Sequence, residues 1–217
     1  MSEYTLFEET REYPNGTITI TILPDSDIES PDKCGDCEPT FFLASSGQQL
    51  SNELELEFVN PKAAYAAMVT GEVYDPGNGD WYYGVTKYEH SGIALAFCKS
   101  IRALRWPDQQ WDVVPLVGWI KITKKLREDW GIGDDAAVAK SNAEGSLKEW
   151  ESYLSGNGCG YTVTTTDADG EEIGEDSCWG YYSMDDAIID ARDTAKYCAE
   201  KFWKELGAEQ PDYAEEQ

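Results

Sequence analysis

One histidine occurs in 217 residues, within Tyr88-Glu89-His90-Ser91-Gly92. An imidazole beside a thiol such as Cys98 or Cys178 would be the raw material of a Cys/His hydrolase, in which the histidine takes the nucleophile's proton. Nothing in the spacing requires that pairing, and a histidine beside a turn serves equally as a hydrogen-bonded structural residue. The one close cysteine pair, Cys34-Gly35-Asp36-Cys37, has the spacing of half a zinc site or of a redox pair. A second pair at that spacing is missing. A closed metal site would have to draw on His90, Cys98, Cys159, Cys178 or Cys198. The sequence has no P-loop, no dinucleotide fingerprint and no paired metal motif. The expectation is therefore no enzymatic activity, no cofactor and no metal.

Charge is the stronger signal. Forty-two acids against 17 bases give a net charge of -25, far beyond what solubility asks of a chain this size. Residues 1–60 hold 13 acids and 2 bases, residues 61–158 hold 13 and 11, and residues 159–217 hold 16 and 4. The acidity thus lies in the two flanking thirds. Salt adaptation would raise the whole chain evenly and suppress lysine, yet twelve of the bases are Lys. A segregated acidic excess is either a solvated surface or the match to a partner with a basic surface, above all a nucleic-acid-binding protein, which neutralises phosphates with Lys and Arg. Direct binding of nucleic acid is disfavoured, because the summed field repels phosphate. Between Cys98 and Arg127 the sign reverses, with seven bases and two acids. Those bases either pair with the acidic segments or, through Arg102, Arg105, Lys124 and Arg127, line a pocket for a small phosphorylated ligand such as a nucleotide signal.

The elements that must position these groups can be read from periodicity. Thr17-Ile18-Thr19-Ile20-Thr21-Ile22 alternates, so its isoleucines face a core and its threonines water. With residues 4–12 across Pro14-Asn15-Gly16 it predicts a hairpin. Residues 24–39 read as an acidic loop. Leu54, Leu56 and Phe58, alternating with Glu53, Glu55 and Glu57, predict a strand with one solvated face. A short Ala-rich helix follows Pro61. Strands are predicted over 81–86, 93–98 and 113–122, with Pro115 marking an edge or a bulge. Thr123 caps a short helix closed by Gly131, and Asp134 or Asp135 caps a longer one, 135–155. Tyr161 to Thr166, the turn Asp167-Ala168-Asp169-Gly170 and a strand through Tyr182 form a late hairpin. Ser183 then opens a helix over 184–206, with Ile188, Ala191, Ala195, Cys198, Phe202 and Leu206 as its apolar stripe. The fold class expected is α+β: a mostly antiparallel sheet covered by two longer helices in a single domain, 1–207, with a flexible acidic tail, 208–217. No apolar run approaches the roughly 18 residues of a membrane span. Met1-Ser2-Glu3-Tyr4 lacks the character of a signal peptide. A soluble intracellular protein with reduced cysteines is expected.

Several segments together resemble a family of acidic proteins carried by tailed bacteriophages. They are Tyr88-Glu89-His90-Ser91-Gly92, Trp111-Asp112, Val117-Gly118, Trp150-x-x-Tyr153-Leu154 and, above all, Asp176-Ser177-Cys178-Trp179-Gly180-Tyr181-Tyr182. The resemblance is firmest over residues 88–182, and the Cys34/Cys37 pair has no counterpart in it. It implies an accessory protein acting in the cytoplasm of an infected bacterium, and it implies no catalytic residues. With the charge pattern, it leads to the expectation of an inhibitor that binds a bacterial defence or host nucleic-acid-binding protein as a DNA mimic would, touching neither nucleic acid nor membrane. The candidate contacts are Asp25, Asp27, Glu29 and Asp32 in the loop, and Asp167, Asp169, Glu171, Glu172, Glu175 and Asp176 in the late hairpin.

Overall fold

The computed structural model describes residues 4–13, 15–33, 39–89, 92–98 and 113–205, with side chains as far as Lys201. The α+β class expected from the sequence is found, with the strands shared between two four-stranded antiparallel sheets. The chain forms two compact units: a split unit made from residues 1–29 and 156–217, and an inserted unit made from 30–155.

The split unit is a sheet in the order β1-β2-β7-β8 with one helix on it. Its strands are β1 (Phe7–Tyr13), β2 (Gly16–Pro24), β7 (Cys159–Asp167) and β8 (Glu172–Tyr181), and its helix is α5 (Met184–Glu205). Alternation along β2 does what its sequence requires. Ile18, Ile20 and Ile22 are buried with Tyr161 and Val163 against Ala187, Ala191, Ala195, Cys198 and Ala199 of α5. Small residues on the helix face let it lie close to the sheet. Each buried isoleucine contributes about 2 kcal/mol of transfer free energy. The Ser183 hydroxyl accepts the Asp186 N–H, capping α5 as its sequence predicts. The stripe begins one residue earlier than predicted, at Ala187, and its last members Phe202 and Leu206 lie outside the described side chains.

The inserted unit is a sheet in the order β3-β6-β4-β5, covered on both faces. It comprises β3 (Thr40–Leu43), α1 (Gly47–Glu57), α2 (Pro61–Thr70), β4 (Trp81–Glu89), β5 (Ile93–Phe97), β6 (Val113–Ile122), α3 (Lys124–Asp129) and α4 (Ala136–Leu154). One face packs Ala139, Ala143 and Leu147 of α4 against Tyr83, Val85, Phe97 and Ile120. The other packs Leu50, Leu54, Phe58, Ala64 and Met68 against Tyr82, Leu116 and Trp119.

Two details correct or refine the sequence reading. Residues 47–57, whose second half is expected as a strand, are helix α1. The alternation of Leu and Glu is real, but the buried residues are Leu50, Leu54 and Phe58, four apart, while Leu56 is 79% exposed. Leu, Glu and Gln are good helix formers, and the Ser46 hydroxyl starts the helix by accepting the Gln49 N–H. Pro115 lies in β6, a central strand, and is accommodated by the bulge that the sequence offered as one of two explanations. Pairing of β4 with β6 slips between Val85 and Lys87, opposite Gly118 and Val114, and β3 reaches no further along β6 than Gly118. No partner there asks proline for an N–H.

Candidate partner-binding surface

Folding joins residues 1–29 of the first acidic third to the whole of the last in one unit, while residues 30–60 go to the other. Residues 1–29 and 156–217 together carry 23 acids and 5 bases, whereas 30–155 carry 19 and 12. Nine of the ten candidate carboxylates belong to the split unit; Asp32, in a single 3-10 turn, belongs to the inserted one.

The nine are strung along the edge strand β8 rather than gathered in a spot. Pro24 pairs with Cys159 at one end of β7, and Asp167 pairs with Gly16 at the other. These ends are about 27 Å apart at ~3.4 Å per residue. Asp25, Asp27 and Glu29 occupy the first end. Asp167, Asp169 and Glu171 occupy the hairpin tip, and Glu172, Glu175 and Asp176 lie on the edge strand between them. Some are structural. Asp167 accepts the N–H groups of Asp169 and Glu171 and so forms the turn, in which Gly170 takes φ +84°. Asp25 accepts from Asp27 N and from Gly180 N at 3.1 Å, and Asp176 accepts from Ser177 N. Two amides of an otherwise open edge therefore already have carboxylate acceptors, which blunts strand-to-strand aggregation. The Tyr182 hydroxyl donates to the Glu29 carbonyl, tying the loop to the end of β8. Among the described residues, the carboxylates of Asp27, Glu29, Asp169, Glu171, Glu172 and Glu175 have no hydrogen-bond or ion-pair partner.

Glu9 behaves differently. It faces the helix side of the sheet, where Arg11 and Arg192 each bond one of its oxygens at 2.7 Å. Burial pushes its carboxyl up, and the two arginines more than reverse this, leaving it below its ordinary value. A lowered folded pKa means stability that is fully present above the unfolded value and is lost as pH falls through the folded one. Comparing urea unfolding of the native chain and Glu9→Gln between pH 7 and pH 3 is therefore expected to show a deficit for the variant at pH 7. That deficit closes as the solution is acidified past the ordinary glutamate range.

The alternative cation set is not assembled into a site among the described residues. Arg102 and Arg105 lie outside them. The Lys124 amine reaches Glu128, and its stem lies against Gly79. Arg127 is buried, 3.6 Å over the Trp81 ring, with its donors on Gly79 O, Gly133 O and Asp134. Another basic residue of that stretch, Lys121, joins Asp80 and Glu57, and the Tyr82 hydroxyl donates to Glu57. Burial, aided by that carboxylate, pushes the Tyr82 phenol up to about 12.

His90, Cys34 and Cys37 also lie outside the described residues. Cys98 is buried and donates to the Pro115 carbonyl, and burial pushes its thiol up to about 12, the opposite of a nucleophile's requirement. Cys178 is exposed. No group of three metal-ligating side chains comes together among the described residues, and none of their helices is long and apolar enough to cross a membrane. No protein-family model, curated protein or solved structure matches the chain.

Proposed function

We propose that this protein is a non-enzymatic inhibitor, deployed by a bacteriophage in the cytoplasm of its host, that occupies the basic surface of a bacterial nucleic-acid-binding or defence protein. The supporting observation is that residues 1–29 and the last acidic third fold into one unit, where, among the described residues, six carboxylates of the candidate set stand without a partner. Unpaired, exposed carboxylates retain their full attraction for Lys and Arg. A basic groove that sheds its counterions onto phosphate can do the same onto such a surface. The bacteriophage setting rests on the motifs in 88–182, Asp176 to Tyr182 foremost.

The test is capture from a bacterial lysate at low salt, followed by competition against duplex DNA for the proteins recovered. Neutralising Asp169, Glu171, Glu172 and Glu175 to their amides is expected to weaken competition about thirtyfold, taking exposed pairs at about 0.5 kcal/mol each. Recovery of no nucleic-acid-binding protein, or competition unchanged in the variant, would overturn the reading.

A further inference from the structure

The face of the split sheet opposite α5 is built in rows. Register places Glu12, Thr17, Thr166 and Glu172 side by side, then Thr10, Thr19, Thr164 and Glu175, then Glu8, Thr21, Thr162 and Ser177. The Thr10 and Thr19 hydroxyls meet at 3.3 Å, as residues on one face must. All six central threonines keep part of their surface exposed, and Glu8, Glu12, Glu172 and Glu175 are exposed along the two edges. Arg11, the described cation of these strands, points to the other face and is held by Glu9. The result is a floor of hydroxyls, stiff at χ1 because threonine is β-branched, between two anionic margins.

We propose that this face seats a Lys/Arg-rich α-helix of the partner, as the major groove of a duplex would; this rests on the inhibitor reading above. Three strand intervals of about 4.8 Å set the margins roughly 14 Å apart. An α-helix with its side chains is about 10–12 Å across, and the major groove that admits one is about 12 Å wide. A helix lying on the threonines can therefore send basic side chains to both margins, while its polar groups meet hydroxyls that both donate and accept. Charge excludes the competing occupants: nucleic acid and a second copy of this chain both bring negative charge to a negative face.

The experiment uses an arginine-rich helical peptide of about 20 residues bound to a fluorescein-labelled duplex, with displacement of the duplex followed by anisotropy as the chain is added. The native chain is expected to release the duplex. The set Glu8→Gln, Glu12→Gln, Glu172→Gln and Glu175→Gln is expected to need about thirtyfold more protein. The equally charged control set Glu55→Gln, Glu72→Gln, Glu128→Gln and Glu144→Gln, all exposed in the inserted unit, is expected to match the native chain. Thr164→Trp, which obstructs the floor without changing charge, is expected to lose affinity as well. Equal losses in both glutamine sets would reduce the attraction to net charge and overturn the seat. Release by the face set at native concentrations would overturn the seat while leaving the inhibitor reading intact. No release by the native chain would overturn both.

Discussion

Replacing Gly118 with alanine is expected to destabilise the inserted unit by about 3 kcal/mol, at the upper end of overpacking costs. A Cβ at this position would lie 1.8 Å from the Phe42 carbonyl oxygen and 3.1 Å from the Leu43 Cα. Both are backbone atoms of β3, so no side-chain rotation can relieve the clash. Strand β3 would have to move off β6, losing its pairing from Thr40 to Leu43 and the Ala44 N–H bond to Val117. The contacts of Phe42 with Trp119 and of Phe41 with Trp150 would go with it. Gly145 is the control. It lies inside α4, and nothing comes within 4 Å of the place an added methyl would take, so Gly145→Ala is expected to gain about 0.5–1 kcal/mol from helix propensity. Urea unfolding of the two variants should move the midpoint in opposite directions; a shift of the same sign would refute the packing argument.

Arg127→Ala is expected to cost about 3–4 kcal/mol, as loss of a buried, multiply bonded charged group does. Its side chain is 5% exposed, and its fork holds three chain positions: Gly79, Gly133 and Asp134. Truncation removes the stack on Trp81 and leaves the Gly79 and Gly133 carbonyls without their donor. Arg127→Lys should recover little, because one ammonium cannot reproduce the planar fork. Asp134 is 94% exposed, so Asp134→Ala is expected to cost under about 1 kcal/mol. A ranking by urea unfolding in which Asp134→Ala equals Arg127→Ala would show that the ion pair, rather than the buried fork, is what matters. Any nucleotide-binding assay built on Arg127→Ala would therefore measure folding; Lys124 is the cation on which that alternative should be tried.

Where local chemistry decides the structure, the sequence is readable. Ser183, Thr123 and Asp135 cap the helices that their positions predict, and the isoleucines of β2 face α5. Helix α1 defeats the pattern because a Leu-Glu alternation satisfies a period of two. The decisive spacing, four residues from Leu50 to Leu54 to Phe58, shows only once one knows which leucines are buried. The division into two sheets is not legible, since nothing local says that β2 pairs with β7 across the whole inserted unit. The same limit governs the candidate surface. The hairpin acids can be named from composition. Glu8 and Glu12 become candidates only through register, although the threonines' water-facing side is visible in Thr17-Ile18-Thr19-Ile20-Thr21. Nor does sequence show that Asp25 and Asp176 are occupied by backbone amides.

The pairing of Pro24 with Cys159 has a consequence for synthesis. Strands β1 and β2 emerge from the ribosome first, yet their neighbour in the sheet is made only after more than a hundred further residues. At about 5–20 residues per second the hairpin must wait roughly 7–27 s for it. The segment between can complete its own sheet meanwhile, so the more acidic of the two units closes after it, and a nascent chain carries its charge before it can present it.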